Sequence, residues 1–241
     1  MPEQGQTIDL RHRNPCRCRD CHRRKDCLPA NLEGSAIIDL EDTAGPGRTL
    51  HTGDCLYRQS DTLTAVYAVR SGSFKGVRCF PGGHEQVCAF YMPGELIGLD
   101  GLYGGQYQCR VQALDTAHVC AFEPGSLERL ARRHPRLQHQ LLRLASRELS
   151  LFMDRDFEQP AEGRVASFLL HVSERMAQLG CSAHRYRLSM SRRDIANYLG
   201  LAPETISRVL RKMVAQSLVE VERREVELID RPALERLAAG S

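Results

Sequence analysis

Four cysteines are the residues of this chain best placed to do chemistry: Cys18, Cys21 and Cys27 in the run CRDCHRRKDC, and Cys120 far downstream in ALDTAHVCAF. Two residues between the first pair let neighbouring thiolates converge on one inorganic centre, and a distant fourth ligand would tie the N-terminal segment to a folded domain. Zinc accepts the same soft ligands and needs no redox role, so spacing alone leaves a zinc knot and a redox-active centre both open. From Arg11 to Cys27 there are seven basic residues against two acidic ones. Such a patch favours thiolates by lowering thiol pKa values, and it would serve a DNA-binding arm equally well. Cys16 offers a competing thiol, but only Cys18 gives both the x2 and the x5 spacing. Cys55, Cys79, Cys88, Cys109 and Cys181 have no ligand partner in sequence and are expected to fill apolar sites.

A second candidate site lies near the other end, in SRRDIANYLGLAPETISRVLRKM. Pro203 suits the first turn of a helix, where its missing N–H costs nothing, and Gly200 marks the turn before it. Glu204, Ser207 and Arg208 then stand at i, i+3 and i+4 on one face. Arg can fork onto guanine N7 and O6, Glu can accept from cytosine N4, and Ser can serve a base or a phosphate. A Glu and an Arg four apart are also a common surface ion pair; here the pair opens a basic helix. Ile206, Val209 and Leu210 are expected to face the core. Between Arg185 and Lys212 seven basic residues face two acidic ones, a field suited to a polyanion.

Elements able to position these residues can be read from periodicity. The 241 residues, 42% hydrophobic and 26% charged, are those of a soluble globular protein with room for two domains. No apolar run reaches the roughly 18 residues needed to span a bilayer, and the first residues lack a secretory apolar stretch. A cytoplasmic protein with reduced cysteines is expected, which favours ligation over a disulfide framework. From about Leu50 to Phe122 short apolar stretches alternate with Gly, Asp and Ser turns, predicting a small antiparallel barrel or jelly roll. From Pro124 the period becomes helical, and Leu142, Ala145, Leu149 and Phe152 form the seam of a paired helix, a candidate dimer interface. The other reading is a helix packed on its own barrel. Past Gln159-Pro160, an amphipathic helix ending at Gly180, the two helices around Gly200 and the hairpin LVEVERREVELID together predict a winged helix.

With C-x2-C-x5-C followed by LP, Gly53-Asp54, VYAVRSGSFK, PGELIG, QALDTAHVC and RRDIANYLGLAPETISR in this order, the chain resembles the CRP/FNR family of bacterial transcription regulators, most of all its iron–sulfur, oxygen-sensing branch. The resemblance runs from Cys18 to about Ile229. It implies an α+β fold: a cysteine-rich cluster-binding segment (1–30), a cyclic-nucleotide-binding-like sensor β-barrel (31–123), a dimerisation helix region (124–159) and a winged helix-turn-helix DNA-binding domain (160–241). It implies that Cys18, Cys21, Cys27 and Cys120 each donate a thiolate to a 4Fe–4S cluster, whose charge Arg17, Arg19, Arg23, Arg24 and Lys25 would offset. An intact cluster would favour a homodimer that binds DNA, and oxygen would return the protein toward a monomer. Glu204, Ser207 and Arg208 would read TTGAT half-sites, giving a palindrome close to TTGAT-N4-ATCAA. RNA polymerase would be touched near the hairpin tip of Pro81, Gly82, Gly83 and His84.

Three rival classes are weighed against this. PGELIG also resembles the loop that holds ribose and phosphate in cyclic-AMP receptors, but Tyr107 and Gln108 stand where those carry an Arg-Ser pair, so a cyclic phosphate would lack its charge partner. A haem or nitric-oxide sensor would leave the spaced cysteines without a purpose. An enzyme is not indicated: there is no nucleophile elbow, phosphate loop or zinc-hydrolase helix, and His84, His118 and His171 are scattered without a matching acid or nucleophile.

Overall fold

The computed structural model describes residues 17–153 and 158–240; Cys16 and residues 154–157 of the 124–159 region lie outside them. Two four-stranded antiparallel sheets build the N-terminal barrel. One has the order β1-β8-β3-β6, with β1 Arg48–Leu50, β3 Val66–Ser71, β6 Leu96–Ile97 and β8 Ala117–Phe122. The other runs β2-β7-β4-β5, with β2 Cys55–Tyr57, β4 Phe74–Cys79, β5 Glu85–Tyr91 and β7 Arg110–Ala113. Tyr67, Val69 and Val119 from the first sheet and Tyr57, Phe74, Val111 and Ala113 from the second form one core between them.

Strand periodicity then generates a second core. Because side chains alternate along a strand, Val66, Ala68 and Phe122 leave the opposite face of the first sheet, where they are buried against Leu28, Leu32, Ile37 and Leu40. That layer comprises the cysteine segment, α1 (Ser35–Thr43), α2 (Pro124–Arg133) and α3 (Pro135–Met153). Helical periodicity reads residues 124 onward as one run, and the structure divides it at His134, whose extended φ of −122° suits the residue before a proline. On α3, Leu137, Gln140 and Leu144 are buried, whereas Leu142, Leu149 and Phe152 on the other face are 63%, 59% and 64% exposed.

The third core belongs to the C-terminal unit. It packs α4 (Ala161–Gln178), α5 (Arg192–Leu199), α6 (Pro203–Ala215) and α7 (Arg231–Ala238) with the sheet β10-β11-β9, formed by β9 Arg185–Arg187, β10 Val219–Glu222 and β11 Glu225–Leu228. Val77, Val87, Phe90 and Met92 of the barrel join this core, so the two units share apolar surface. Polar contacts fix the junction: Asn197 on α5 accepts from the Val87 amide and donates to the Glu85 carbonyl, and Lys75 reaches Asp194 at 2.6 Å. Asp194 is also the N3 partner of Ser191 in the capping box that starts α5.

Two cysteine expectations are corrected. Cys55 opens the edge strand β2 and Cys181 follows the turn after α4, and both are exposed; Cys109 is buried, and Cys79 and Cys88 are half-buried. The helices α1 and α7 are additions to the elements expected from periodicity.

A cavity of about 250 Å³ separates the barrel from α3, with Tyr91, Asp100, Cys109, Glu148 and Tyr198 among its lining. Burial, then repulsion from Asp100 and Glu95, pushes the Glu148 carboxyl up to about 7. A carboxyl raised in the native state stabilises the fold below its ordinary value of 4.5, and that contribution is lost as pH rises through about 7. Glu148→Gln should therefore raise stability by about 1–3 kcal/mol at pH 8 and leave it little changed at pH 5, read from denaturant melts at both values. Asp194 behaves oppositely. Burial disfavours its charge, but the hydrogen bonds from Lys75 and Ser191 outweigh that and hold it below 3.8. Its contribution is complete above the ordinary carboxylate range and disappears as pH falls through the lower native value. Asp194→Ala should cost about 1–2 kcal/mol at pH 7, with the difference closing in strong acid.

Candidate metal centre and nucleic-acid interface

The cysteine segment is built from turns. The amides of Cys21, Arg24, Asp26 and Ala30 each donate to the carbonyl three residues back, at 3.0–3.3 Å. Such turns bring positions three apart onto one side, which suits Cys18, Cys21 and Cys27. Leu28 and Leu32, at most 1% exposed, anchor the segment in the second core. Its basic residues brace it further: Arg19 pairs with Glu41 at 2.9 Å, Arg24 donates to the Leu32 carbonyl and Arg23 to the Leu179 carbonyl at the end of α4.

Cys120 comes from β8, paired opposite Ala68 on β3, and lies on the second-core side. Cys18, Cys21, Cys27 and Cys120 line one cavity of about 20 Å³, together with Arg17, Arg23 and Arg70. Cys18 and Cys27 are buried. Burial drives the Cys27 thiol up to about 12, against the Leu28 amide that points at its sulfur, and Cys18 and Cys21 raise it further. Thiols that oppose one another's ionisation in this way are stabilised as thiolates by a positively charged inorganic centre. The donor set thus fits a metal group bound by four thiolates. Among the described residues, no three His, Cys, Asp or Glu side chains are grouped closely enough to hold a single metal ion.

On α6 the buried positions are Ile206, Val209, Leu210 and Met213, and the turn before the helix is closed by Gly200 at φ 64°. Glu204 and Arg208 are exposed and Ser207 is half-buried. The Ser207 hydroxyl donates back to the Pro203 carbonyl, and Arg211 donates to the Ser207 carbonyl. Glu204 and Arg208 do not pair with each other, so the surface-ion-pair reading has no support in the geometry. Periodicity alone missed two further cationic points beside this face. Arg192 and Arg193 are exposed at the start of α5, and Arg223 at φ 54° and Arg224 form the exposed tip of the β10–β11 hairpin. The seam residues Leu142, Ala145, Leu149 and Phe152 lie together on the exposed face of α3.

The barrel interior bears on the cyclic-nucleotide alternative. Tyr107 is buried, stacks on Tyr57 with ring centroids 3.6 Å apart and donates its hydroxyl to the Ala65 carbonyl at 2.7 Å. Glu95 of the PGE turn is engaged by Arg147 at 3.2 Å and by Arg175 of α4. Side chains of the protein itself thus occupy these positions.

Residues 47–134 match the model of the cyclic nucleotide-binding domain, and residues 163–237 that of the Crp-like helix-turn-helix domain. The chain is 38% identical to "Transcriptional activator protein FnrA" of Stutzerimonas stutzeri over 98% of both chains. It is 34% identical to "Fumarate and nitrate reduction regulatory protein" of Escherichia coli K12, over 92% of this chain and 90% of that one. Among solved structures, FixK2 from Bradyrhizobium japonicum superposes with a TM-score of 0.74 at 28% identity, covering 82% of this chain and 98% of FixK2. Likeness over nearly the full length, with a helix-turn-helix on a winged unit, makes this chain a member of the CRP/FNR family: a DNA-binding regulator of transcription, not an enzyme.

Proposed function

We propose that this regulator is an oxygen-responsive activator of anaerobic metabolism that holds a 4Fe–4S cluster on Cys18, Cys21, Cys27 and Cys120. The observation that carries the reading is the convergence of these four cysteines, from a turn-built segment and a distant strand, on one cavity beside Arg17, Arg23 and Arg70. A cluster bound there would supply an oxygen-labile link between the segment and the barrel. The arginines lining the cavity offset the negative charge of four thiolates. Names of relatives that refer to fumarate and nitrate reduction support the anaerobic role.

The exposed face of α3 supports association of two copies through Leu142, Ala145, Leu149 and Phe152, an apolar stripe at coiled-coil spacing. Two-fold symmetry then presents two α6 helices to half-sites one helical turn apart, as in TTGAT-N4-ATCAA. In each half-site Arg208 forks onto guanine, Glu204 accepts from cytosine and Ser207 contacts a base or phosphate. Arg192, Arg193, Arg223 and Arg224 flank that face and suit phosphate contacts. When oxygen removes the bound group, the cysteine segment loses its tie to β8 and the dimer loses stability. The protein works in the cytoplasm beside its DNA, and RNA polymerase is contacted near Pro81–His84, the tip of the β4–β5 hairpin.

Protein purified without oxygen should be brown, contain about four irons and matching labile sulfide per chain, and bleach in air. Colourless, zinc-containing protein would overturn the sensing mechanism and leave the DNA-binding assignment standing. Cys120→Ser should lose that absorbance and with it dimer-dependent operator binding; unchanged binding would sink the ligand set. Arg208→Ala should lose about 1–3 kcal/mol of discrimination at the contacted guanine, measured by competition between operators, while iron content stays at the wild-type level.

A further inference from the structure

Gln140 is 2% exposed in the middle of α3, among the leucines that face the barrel. Burying a primary amide is unfavourable unless its donors and acceptor are paired. Here Nε2 donates to the backbone carbonyl of Cys27 at 2.9 Å, and Oε1 accepts from Nε of Arg143 at 3.0 Å. An apolar side chain of similar volume would fill the same space without that requirement. The amide is thus held by Arg143, one helical turn on, in the orientation that meets the Cys27 turn.

The partner carbonyl belongs to one of the four converging cysteines, and the helix carrying Gln140 has Leu142, Ala145, Leu149 and Phe152 on its opposite face. A second contact, two turns further along, reinforces the first. Arg147 binds Glu95, and the adjoining Gly94, at φ 89°, lies under the segment so closely that a Cβ there would stand 3.0 Å from the Asp26 carbonyl. A shift of the Cys27 turn relative to α3 would leave the buried Gln140 amide without its partner, although the Cys27 carbonyl keeps its bond from the Ala30 amide, and a compensating shift of α3 would restore the pair.

We propose that Gln140 is the positioning residue through which the state of the Cys27 turn sets the geometry of the dimerisation helix. This rests on the four-cysteine cluster reading and adds the route by which the site is coupled to association. Gln140 touches no metal-binding atom; it acts through the backbone of Cys27.

The test compares wild type, Gln140→Met and Arg143→Met, each prepared without oxygen. Iron and sulfide are assayed first. The dimer dissociation constant is then measured by analytical ultracentrifugation before and after air removes the iron. Gln140→Met should carry wild-type iron, yet its ratio of stripped to loaded dissociation constants should fall about tenfold. Arg143→Met, an exposed position whose loss spares the core, should reduce that ratio about threefold while keeping full iron. If both variants keep the wild-type ratio, the proposal is overturned. Should Gln140→Met fail to fold by circular dichroism, the Arg143→Met ratio decides by the same criterion. Wild type that holds no iron, or dimerises equally with and without it, defeats the cluster reading and this inference with it.

Discussion

The two-residue alternation of β3 and β8 is the constraint on which the arrangement rests. Tyr67, Val69 and Val119 fill the barrel, so Val66, Ala68, Cys120 and Phe122 must leave the opposite face of the same sheet. That face carries four residues unsuited to water, and the cysteine segment, α1, α2 and α3 cover it. Covering is what brings a thiol on β8 against thiols that lie far away in sequence. A one-residue slip in the β3–β8 register would turn Cys120 into the barrel and dissolve both the second core and the cavity.

From this layer the unit at the C-terminus is reached through polar contacts set in apolar surroundings. Arg23 binds the end of α4, Arg175 of α4 returns to Glu95 and to the Phe90 carbonyl, and Asn197 stitches α5 to β5. These bonds are directional, whereas the shared apolar surface around Phe90, Phe168 and Tyr198 is not. The combination gives one preferred docking of the reading unit on the barrel.

Much of this was legible in the residues. Cysteine spacing, the Gly200–Pro203 turn and the period change after Phe122 each express a local rule, and the structure puts a turn-built segment, a helix pair and a barrel-to-helix transition there. The helical run was overextended because its period continues through Pro135, while the break depends on the single residue before that proline. Helix α1 lacks a side-chain cap and has no period clear enough to separate it from a loop. Signals for α7 were present in Asp230, which caps it, and Pro232 in its first turn. Gln140 was invisible for a different reason. Nothing local distinguishes it from a solvated helix residue, and its role comes from a carbonyl 113 positions away. The same holds for Lys75 and Asp194, whose pairing exists only once two units have docked.

The division of α3 into two faces has a further consequence. In the proposed dimer, Leu142, Leu149 and Phe152, largely exposed within one chain, would form the contact, so changes along that stripe would retune association while leaving the four-cysteine cavity intact. By mass action, the fraction of paired molecules would then depend on how many copies a cell holds as well as on the state of the proposed cluster. Abundance becomes a second input to such a regulator. A lineage could shift the threshold of its response through expression level, or through one side chain on the stripe, while every residue at the cavity stays the same.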